Sequence, residues 1–600
     1  MALEAPSPGR EPADGLPPDR DRAAPGPGGD EARPGRSGSA GSAGTATLTR
    51  PRRGRRRASR SFRFPWPAAW EARAAQRGTG RSYPLLAICL VQAVIGLTLV
   101  GANTAFTDEA DYLWIGHLVI GHWLHGTSWP AGYAHRVLSG SAVIYPPLGA
   151  AADGLAGLAG ARTLSLAFMV GATVLIYLTG TRLLGRAEAV IAAALWAFSA
   201  PALRLVFATY DPMSVFLAAL SGWLAVRSAA SRRPVPFIVA CGVALGLADA
   251  TAYSGLVIAP VVIAFAVLLW RPRLGPRRAW ACTGWLAISW LASFGLLITV
   301  SGSWAGIAFT VINRKVADYQ QPSVIVTSIA LYSWFVLITA LLGAVIGIRE
   351  RDRKKAALLV FLGLTALVVP AAQLIEGTAW AMDKHLAYGI WFAVLASAYG
   401  CRAIAGWLGR ALHDRRGLVA LAGVIVLAFP MIANCQLARQ TLQGWANASA
   451  FIAAFRPVAA RTGGPIFASA QQRVAEYYTP QGSQWGRWKT WDLSLKPAGL
   501  DRGRWYSYYA GELRASHAGV IALFYAPPSA AGRAARDGWL DAHRGHMYGA
   551  LRTLANFQRS EPGVPALTRA IERDRQYRLV AVGPYDSGAQ SGIFAIWRLS

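Results

Sequence analysis

The chain has 600 residues, of which 54% are hydrophobic and 15% are charged, and its formal net charge is +29. A soluble protein would carry about 25% charged residues and would lack repeated apolar runs of about 20 residues, the length that crosses a bilayer. The composition therefore excludes an ordinary soluble enzyme and predicts a polytopic membrane protein. The positive charge does not indicate a nucleic-acid partner, because most basic residues lie in a tail and in short loops.

The first 80 residues are rich in Pro, Gly, Ala, Ser and Arg and cannot bury enough apolar surface to fold. We predict that residues 1–80 form a disordered cytoplasmic tail. Its last part, PRRGRRRASRSFRFPWPAAW, is basic with interspersed aromatic residues, which suits an anionic membrane surface. The first apolar run begins too late for a simple cleaved signal peptide, so we interpret it as an uncleaved first span.

Hydropathy predicts about eleven transmembrane helices in residues 81–436. They lie at about 84–106, 162–184, 188–207, 211–229, 235–252, 253–270, 279–301, 324–348, 356–375, 386–409 and 417–436. Lys and Arg concentrate in the loops on one side, which places the N-terminus in the cytoplasm of a multi-pass protein of the cell membrane. The odd number of spans then places residues 437–600 outside the cytoplasm.

Residues 437–600 differ in composition from the rest of the chain. Short β-like runs such as HAGVIALFY and YRLVAVGPY alternate with Ala- and Arg-rich stretches that favour helices. We predict a soluble extracytoplasmic α/β domain. The aromatic residues that lie between positions 485 and 509 could form a sugar-binding surface, although core packing is the favoured interpretation. The five cysteines lie in or beside apolar runs without a CxxC motif and are interpreted as packing residues.

Acidic residues concentrate on the predicted outer side, where basic residues are scarce. The long first exterior loop, residues 107–161, begins T-D-E-A-D-Y-L-W and carries Asp108, Glu109 and Asp111. Carboxylates at the edge of the bilayer are costly unless they are hydrated, paired or functional. They could simply cap a helix. Further outer acids near span ends are Asp211, Asp249 and Asp383. Together they predict a shared exterior cavity.

The order of these motifs resembles the GT-C superfamily of membrane glycosyltransferases. The motifs are the Asp108-Glu109 pair, Y-P-P-L at Tyr145 to Leu148, G-x-R-T-L-S entering the second span, and Asp211 after the third. Within the superfamily, the sequence is most similar to the branch that contains the protein O-mannosyltransferases and the aminoarabinose transferase of lipid A. The resemblance covers residues 84–410 and implies a GT-C-like transmembrane domain.

The resemblance implies transfer of a hexose or pentose from a polyprenyl-phosphate donor, on the outer face of the membrane, to a hydroxyl of an envelope glycan, lipid or protein. A carboxylate near the outer boundary can accept the hydroxyl proton, which gives inversion in one displacement. We expect Asp108 to be this base, with Glu109 and Asp211 as further catalytic residues and Asp111 and Tyr145 as acceptor-binding residues. The candidates for binding the donor phosphate are His135, Arg136, Arg314, Lys315, Lys384 and His385.

One departure from the pattern concerns the donor phosphate. Relatives in the aminoarabinose branch often carry a Lys just before P-P-L that holds this phosphate, whereas this chain has Tyr145 there. Either the contact comes from elsewhere, with His135-Arg136 and Lys384-His385 as the substitutes to test, or the donor geometry differs. No cofactor is required by a monophosphate leaving group, although the acid cluster could hold a divalent metal. Two alternatives stay open: a transporter or flippase for lipid-linked glycans that uses its acids for ion coupling, and a non-catalytic envelope scaffold.

Overall fold

A computed structural model describes residues 82–313, 320–350, 352–379, 381–411, 416–442, 444–469, 471–479, 482–489, 491, 493, 500–525, 533–547, 550–551, 563–587 and 590–600. These residues all belong to one compact unit, residues 68–600. The predicted tail, residues 1–80, lies outside the described residues.

Long apolar helices dominate the first part of the described chain. The helices up to residue 300 are α1 (Tyr83–Val100), α2 (Thr107–His125), α3 (Ala131–Val137), α4 (Tyr145–Leu183), α5 (Arg186–Ala197), α6 (Ala200–Arg204), α7 (Asp211–Ala230), α8 (Val235–Thr251), α9 (Ala259–Leu274) and α10 (Pro276–Val300). They are followed by α11 (Trp304–Ile307), α12 (Pro322–Arg349), α13 (Arg353–Leu364), α14 (Val368–Glu376), α15 (Met382–Ala411) and α16 (Arg416–Leu442).

The predicted class, a polytopic helical membrane protein, is confirmed. Among the described residues, seven helical segments are long and apolar enough to cross a membrane, and α8 is a shorter apolar helix. Each of the eleven predicted spans overlaps a helix, but some spans consist of two pieces, so the count of eleven stays a prediction. The span at 188–207, for example, breaks between α5 and α6, where the Ser199 hydroxyl accepts a hydrogen bond from the amide of Ala202 at 3.3 Å.

Helix α15 runs through the centre of the bundle. Its residues from Leu386 to Ala398 are buried almost without exception. It packs closely on α12 because small residues face each other: a Cβ at Gly343 would lie 2.1 Å from the carbonyl oxygen of Ala396, and one at Gly400 would lie 2.2 Å from that of Thr339. This contact fixes α15, and its first turn therefore has a defined place at one end of the bundle.

The predicted exterior loop 107–161 is largely helical. Helix α2 follows α1 after a short turn, α3 comes next, and α4 begins at Tyr145 and continues into the predicted second span. Helix α4 is interrupted at Ala156 and Gly157, where glycine adopts a φ of 63°. This break separates its first turns from the apolar span that follows.

The C-terminal part is an α/β structure, as predicted. Its helices are α17 (Ser449–Arg461), α18 (Gln472–Tyr478), α19 (Trp505–Ser516), α20 (Arg533–Ala542) and α21 (Val564–Arg573). Its strands are β1 (Ala446–Asn447), β2 (Ile466–Ala468), β3 (Trp488–Lys489), β4 (Val520–Tyr525), β5 (Tyr577–Ser587) and β6 (Gln590–Leu599). They form one sheet in the order β1-β5-β6-β4-β2-β3, in which β4, β2 and β3 are mutually parallel and the other pairs antiparallel.

The two faces of this sheet bury separate apolar clusters. Along β4, Ile521 and Leu523 face one cluster and Ala522 and Phe524 face the other, as the alternation of a strand requires. The second cluster also contains Ala110 of α2. The sheet thereby brings α17 and α18 against the first helix after the first span.

Candidate active site

Three chain-distant charged residues meet at one end of the helical bundle. The ammonium nitrogen of Lys384 lies 3.0 Å from Oδ2 of Asp211 and 3.4 Å from Oδ2 of Asp108. Asp211 is fully buried, whereas the side chain of Asp108 keeps 38% of its surface exposed. One lysine therefore holds two carboxylates together, and one of the two is open to a ligand.

Helix termini explain why these residues meet. Asp108 lies in the first turn of α2, and Asp211 is the first residue of α7, where Pro212 occupies a position that suits the start of a helix. The positive end of a helix dipole stabilises each carboxylate. Lys384 lies in the first turn of α15, where the dipole disfavours a cation, so its charge depends on the two aspartates.

Asp211 is held by several groups. The Thr209 hydroxyl donates to its Oδ2 at 3.1 Å, and Nε2 of His385 lies 3.7 Å from its Oδ1. Oδ1 itself accepts no hydrogen bond from any residue that the structure describes. The rings of Tyr112 and Tyr210, with centres 4.5 Å apart, pack beside it. These contacts fix the orientation of Asp211 and leave it little freedom to move.

Glu109 faces away from Asp108 and forms a buried ion pair. The guanidinium of Arg162 donates to its two oxygens at 2.8 and 2.7 Å. The backbone amides of Ala208 and Phe106 donate to the same carboxylate at 2.8 and 2.9 Å. Both oxygens are thus fully used within the protein. Glu109 therefore links α2 to α4 through its ion pair with Arg162.

Asp111 lies one turn beyond Asp108 and faces the C-terminal part. Its Oδ1 is 3.5 Å from Nε of Arg473 in α18. Burial raises the pKa of Asp111 to about 7, and the nearby guanidinium of Arg473 partly opposes this shift. Tyr145 is also buried, and its hydroxyl lies 3.4 Å from that of Ser165. Tyr145 is thus part of the packed core beneath α2.

The candidate phosphate-binding residues separate into groups. Lys384 and His385 lie beside Asp211, and His385 also contacts Gln373, with Nδ1 3.5 Å from Nε2. His135 and Arg136 lie on α3. His135 is half-buried, 3.5 Å from the Ser303 hydroxyl, and burial lowers its pKa from the ordinary value, while Arg136 is exposed. Arg314 and Lys315 lie outside the described residues.

Several charged residues near the site were not predicted. Arg204 pairs with Asp383 at 2.6 Å, and its guanidinium lies 3.5 Å from the ring centre of Phe207. Arg162 and Arg473 bind acids of α2, as described above. The R-T-L-S motif marked Arg162, but no local pattern pointed to Arg473. Within the described residues, no group of three His, Cys, Asp or Glu side chains is placed to bind a metal ion.

The other outer acids have partners of their own. Oδ2 of Asp249, in α8, accepts a hydrogen bond from the indole of Trp290 at 2.8 Å. Asp153 contacts His117 and Tyr477, both at 2.6 Å. Fewer of the outer acids therefore lack a partner of their own than the sequence suggested, and Lys384 brings two of them, Asp108 and Asp211, together.

Comparisons with known proteins address the fold. The structure is similar to the crystal structures of ArnT from Cupriavidus metallidurans in the apo state (TM-score 0.52, 12% identity, 85% of this chain and 97% of that chain) and bound to undecaprenyl phosphate (TM-score 0.52, 13% identity, 86% and 98%). It is also similar to the apo form of an oligosaccharyltransferase from Archaeoglobus fulgidus (TM-score 0.49, 12% identity, 84% and 73%). No protein-family model matches the sequence, and no curated protein does. The chain therefore has a fold like that of ArnT, in agreement with the GT-C-like fold that its motifs predict.

Proposed function

We propose that this protein is an integral membrane glycosyltransferase that transfers a sugar from a polyprenyl-phosphate donor to an acceptor hydroxyl, with inversion. The observation that carries the proposal is the meeting of Asp108, Asp211 and Lys384 within a GT-C fold. The lipid-linked donor is supported by the similar ArnT structure, which contains undecaprenyl phosphate. The acceptor is an envelope glycan, lipid or protein.

Asp108 is the proposed general base. Its carboxylate is partly exposed, and among the described residues Lys384 is its one hydrogen-bonding partner, so lone pairs remain for a hydroxyl. As the acceptor oxygen attacks the anomeric carbon, Asp108 takes its proton. The bond between that carbon and the phosphate oxygen breaks, and polyprenyl phosphate leaves with the electron pair. A positioned base of this kind contributes about 10²- to 10⁴-fold to the rate.

Asp211 and Glu109 act on the position of the base in this proposal. Asp211 fixes the ammonium group of Lys384, which in turn orients Asp108. Glu109 fixes the start of α2 through Arg162. Asp111 contacts the acceptor, and Tyr145 supports α2 from below. The contacts of these side chains within the protein support the roles proposed for Asp211, Glu109 and Tyr145.

The donor phosphate needs cationic or N–H donors as its charge grows. Lys384 already pairs with two carboxylates, so its positive charge is neutralised within the protein. We therefore propose the exposed Arg136 and its neighbour His135 as the main contacts, with His385, Arg314 and Lys315 as further candidates. The neutral imidazole that burial favours at His135 can still donate one N–H bond.

The site is proposed to face the outside of the cell membrane. The C-terminal part contacts the same end of the bundle as Asp108 and Asp211, for example through Arg473 and Asp111. Arginine-rich turns such as that between α9 and α10 lie at the opposite helix ends, and such turns favour the cytoplasmic side. Both observations support the proposal that the site and the C-terminal part lie on the extracytoplasmic face.

The test is transfer by the purified protein in nanodiscs, with a panel of polyprenyl-phosphate sugars and envelope acceptors. We expect Asp108→Asn to lower turnover by about a hundredfold or more. Asp501→Asn is the matched control, since this carboxylate is exposed and pairs with Arg504 in the C-terminal part. Unchanged transfer by Asp108→Asn would remove Asp108 from the role of base. Movement of the donor across liposomes without its consumption would favour a flippase instead.

A further inference from the structure

Arg473 connects the C-terminal part to the acidic face of α2. This residue lies on α18, and its Nη1 pairs with Oε2 of Glu476 at 2.6 Å, while its Nε lies 3.5 Å from Oδ1 of Asp111. Its guanidinium also lies 4.3 Å from the ring centre of Tyr133 on α3. One side chain of α18 thus contacts two other helices, α2 and α3, around Asp111.

The charges of this cluster do not balance. Two carboxylates, Asp111 and Glu476, share the single guanidinium of Arg473, and the three side chains are 13%, 1% and 20% exposed, respectively. Oδ1 of Asp111 accepts no hydrogen bond from any described residue, since the 3.5 Å contact is an ion pair only. A buried acceptor without a donor is costly. The arrangement leaves Asp111 able to accept a hydrogen bond from a ligand.

Asp111 and Asp108 lie on the same face of α2. Residues three apart on a helix are neighbours, with Cβ atoms about 5–6 Å apart. Two carboxylates at this spacing can each accept a hydrogen bond from one of two neighbouring hydroxyl groups. A sugar ring carries such a pair of hydroxyls, whereas a serine, a threonine or a simple lipid alcohol carries one.

We propose that Arg473 is a positioning residue, supplied by the C-terminal part, that keeps Asp111 ionised and oriented so that Asp111 binds a second hydroxyl of the acceptor while Asp108 deprotonates the first. The acceptor is then a glycan with two neighbouring hydroxyls. This inference rests on the proposed function and assigns the acceptor side of the same site.

The pH dependence of acceptor binding follows from the groups that face Asp111. Burial raises the pKa of Asp111 to about 7, Arg473 lowers it, Glu476 and Asp108 raise it, and a hydrogen bond from Tyr133 lowers it. An ionised Asp111 is the better acceptor of a hydrogen bond. The KM for the acceptor should therefore rise as the pH falls below about 7, and kcat should change much less.

Substitutions of the two partners should move this transition in opposite directions. Arg473→Gln removes a charge that favours ionisation; if the pKa of Asp111 rises by about one unit, the ionised fraction at pH 7 falls about fivefold, and the acceptor KM rises by the same factor. Binding should recover near pH 9. Glu476→Gln should lower the acceptor KM at pH 7 by up to about twofold. The limit is twofold because about half of the Asp111 side chains are already ionised at this pH, so the ionised fraction can at most double. Arg473→Lys keeps the positive charge, so its transition should lie closer to that of the wild type than the transition of Arg473→Gln does.

The experiment measures kcat and acceptor KM from pH 5.5 to 9 for these variants and for Asp111→Asn, whose KM should lose the transition. Size-exclusion chromatography and thermal unfolding check that each variant is folded. The proposal is wrong if Arg473→Gln lowers kcat equally at every pH, or if Glu476→Gln and Arg473→Gln shift the transition in the same direction. These opposite shifts are not expected from a merely structural role.

A second arm tests the pair of hydroxyls. A glycan acceptor that lacks the hydroxyl beside the attacking one should have a KM about tenfold higher in the wild type, the loss of one bond worth about 1.4 kcal/mol. In Asp111→Asn the two acceptors should differ much less. An equal loss in both proteins would overturn the role of Asp111. If the wild type consumes no donor under any condition, the proposed function fails rather than this inference.

Discussion

Lys384→Met is expected to destabilise the protein strongly. The substitution keeps an apolar stem of the same length but removes the ammonium group that lies 3.0 Å from Asp211 and 3.4 Å from Asp108. With an effective dielectric constant of about 20, each of these contacts has a Coulomb energy of about 5 kcal/mol. Desolvation of the ammonium and carboxylate groups offsets much of this gain.

The net cost follows from what is left behind. Asp211 is fully buried and would retain the Thr209 hydroxyl as its hydrogen-bond donor. Removing one partner of a buried ion pair costs about 3–5 kcal/mol, because the other charge stays buried without compensation. In the double variant Lys384→Met/Asp211→Asn that charge is absent, so its cost should be lower than the sum of the two single costs by about 1–3 kcal/mol.

The measurement is unfolding of the wild type, both single variants and the double variant in the same detergent, by thermal or denaturant titration. Transfer activity is recorded in parallel, and we expect it to be low in all three variants because Asp108 loses its oriented partner. Wild-type stability in Lys384→Met would refute the reasoning. Additive costs in the double variant would equally contradict a direct pairing of Lys384 with Asp211.

Three further predictions concern the walls of the site and its chemistry. Arg162→Met leaves the carboxylate of Glu109 buried without its ion pair and should destabilise the fold by about 3–5 kcal/mol. The control Arg544→Met should change stability little, because the side chain of Arg544 is 82% exposed. Unfolding titrations measure both variants. Burial lowers the pKa of His135, so the imidazole is neutral at pH 7 and gains its charge only as the pH falls below this lowered pKa. The charged imidazole should then bind the donor phosphate more tightly. A titration of donor affinity against pH should show this increase in the wild type and lose it in His135→Gln. Chelation by EDTA should leave turnover unchanged, because the Lys384 ammonium already neutralises the space between Asp108 and Asp211, and a loss that added Mg²⁺ or Mn²⁺ restores would contradict this.

The membrane helices could be predicted from the sequence because the bilayer demands long apolar runs with internally satisfied backbones. The interruptions within these helices could not be predicted from the sequence. The break between α5 and α6, and the short 3₁₀ segment Tyr253–Val257 before α9, lie within apolar stretches whose hydropathy is continuous. Their positions depend on packing against neighbouring helices, which hydropathy does not record.

The centre of the site was partly predictable. Alternation of the spans places Asp108, Asp211 and Lys384 at the same end, but it gives no pairwise distances. Helical geometry explains why Glu109 differs from its neighbour: consecutive residues point about 100° apart on a helix, so Asp108 and Glu109 face different surroundings. The same rule groups Asp108 with Asp111, which the D-E-A-D motif already contains.

The partners of these acids could not be predicted. Arg162 and Glu109 are 53 residues apart, and Arg473 reaches Asp111 from a different part of the chain. The sequence around Arg162 is typical of an ordinary helix end, and the sequence around Arg473 is typical of a surface helix. Only the packing of the C-terminal sheet on α2 brings Arg473 to the site, and no local pattern encodes that contact.

The central claim is that Asp108 performs the chemical step beside Asp211 and Lys384. The most direct measurement is single-turnover release of polyprenyl phosphate from a bound donor on addition of acceptor, with the donor Kd determined in parallel. For Asp108→Asn, we predict a donor Kd within about twofold of the wild type and a release rate reduced about a hundredfold or more. Release at the wild-type rate, or a loss explained entirely by weaker donor binding, would contradict the assignment.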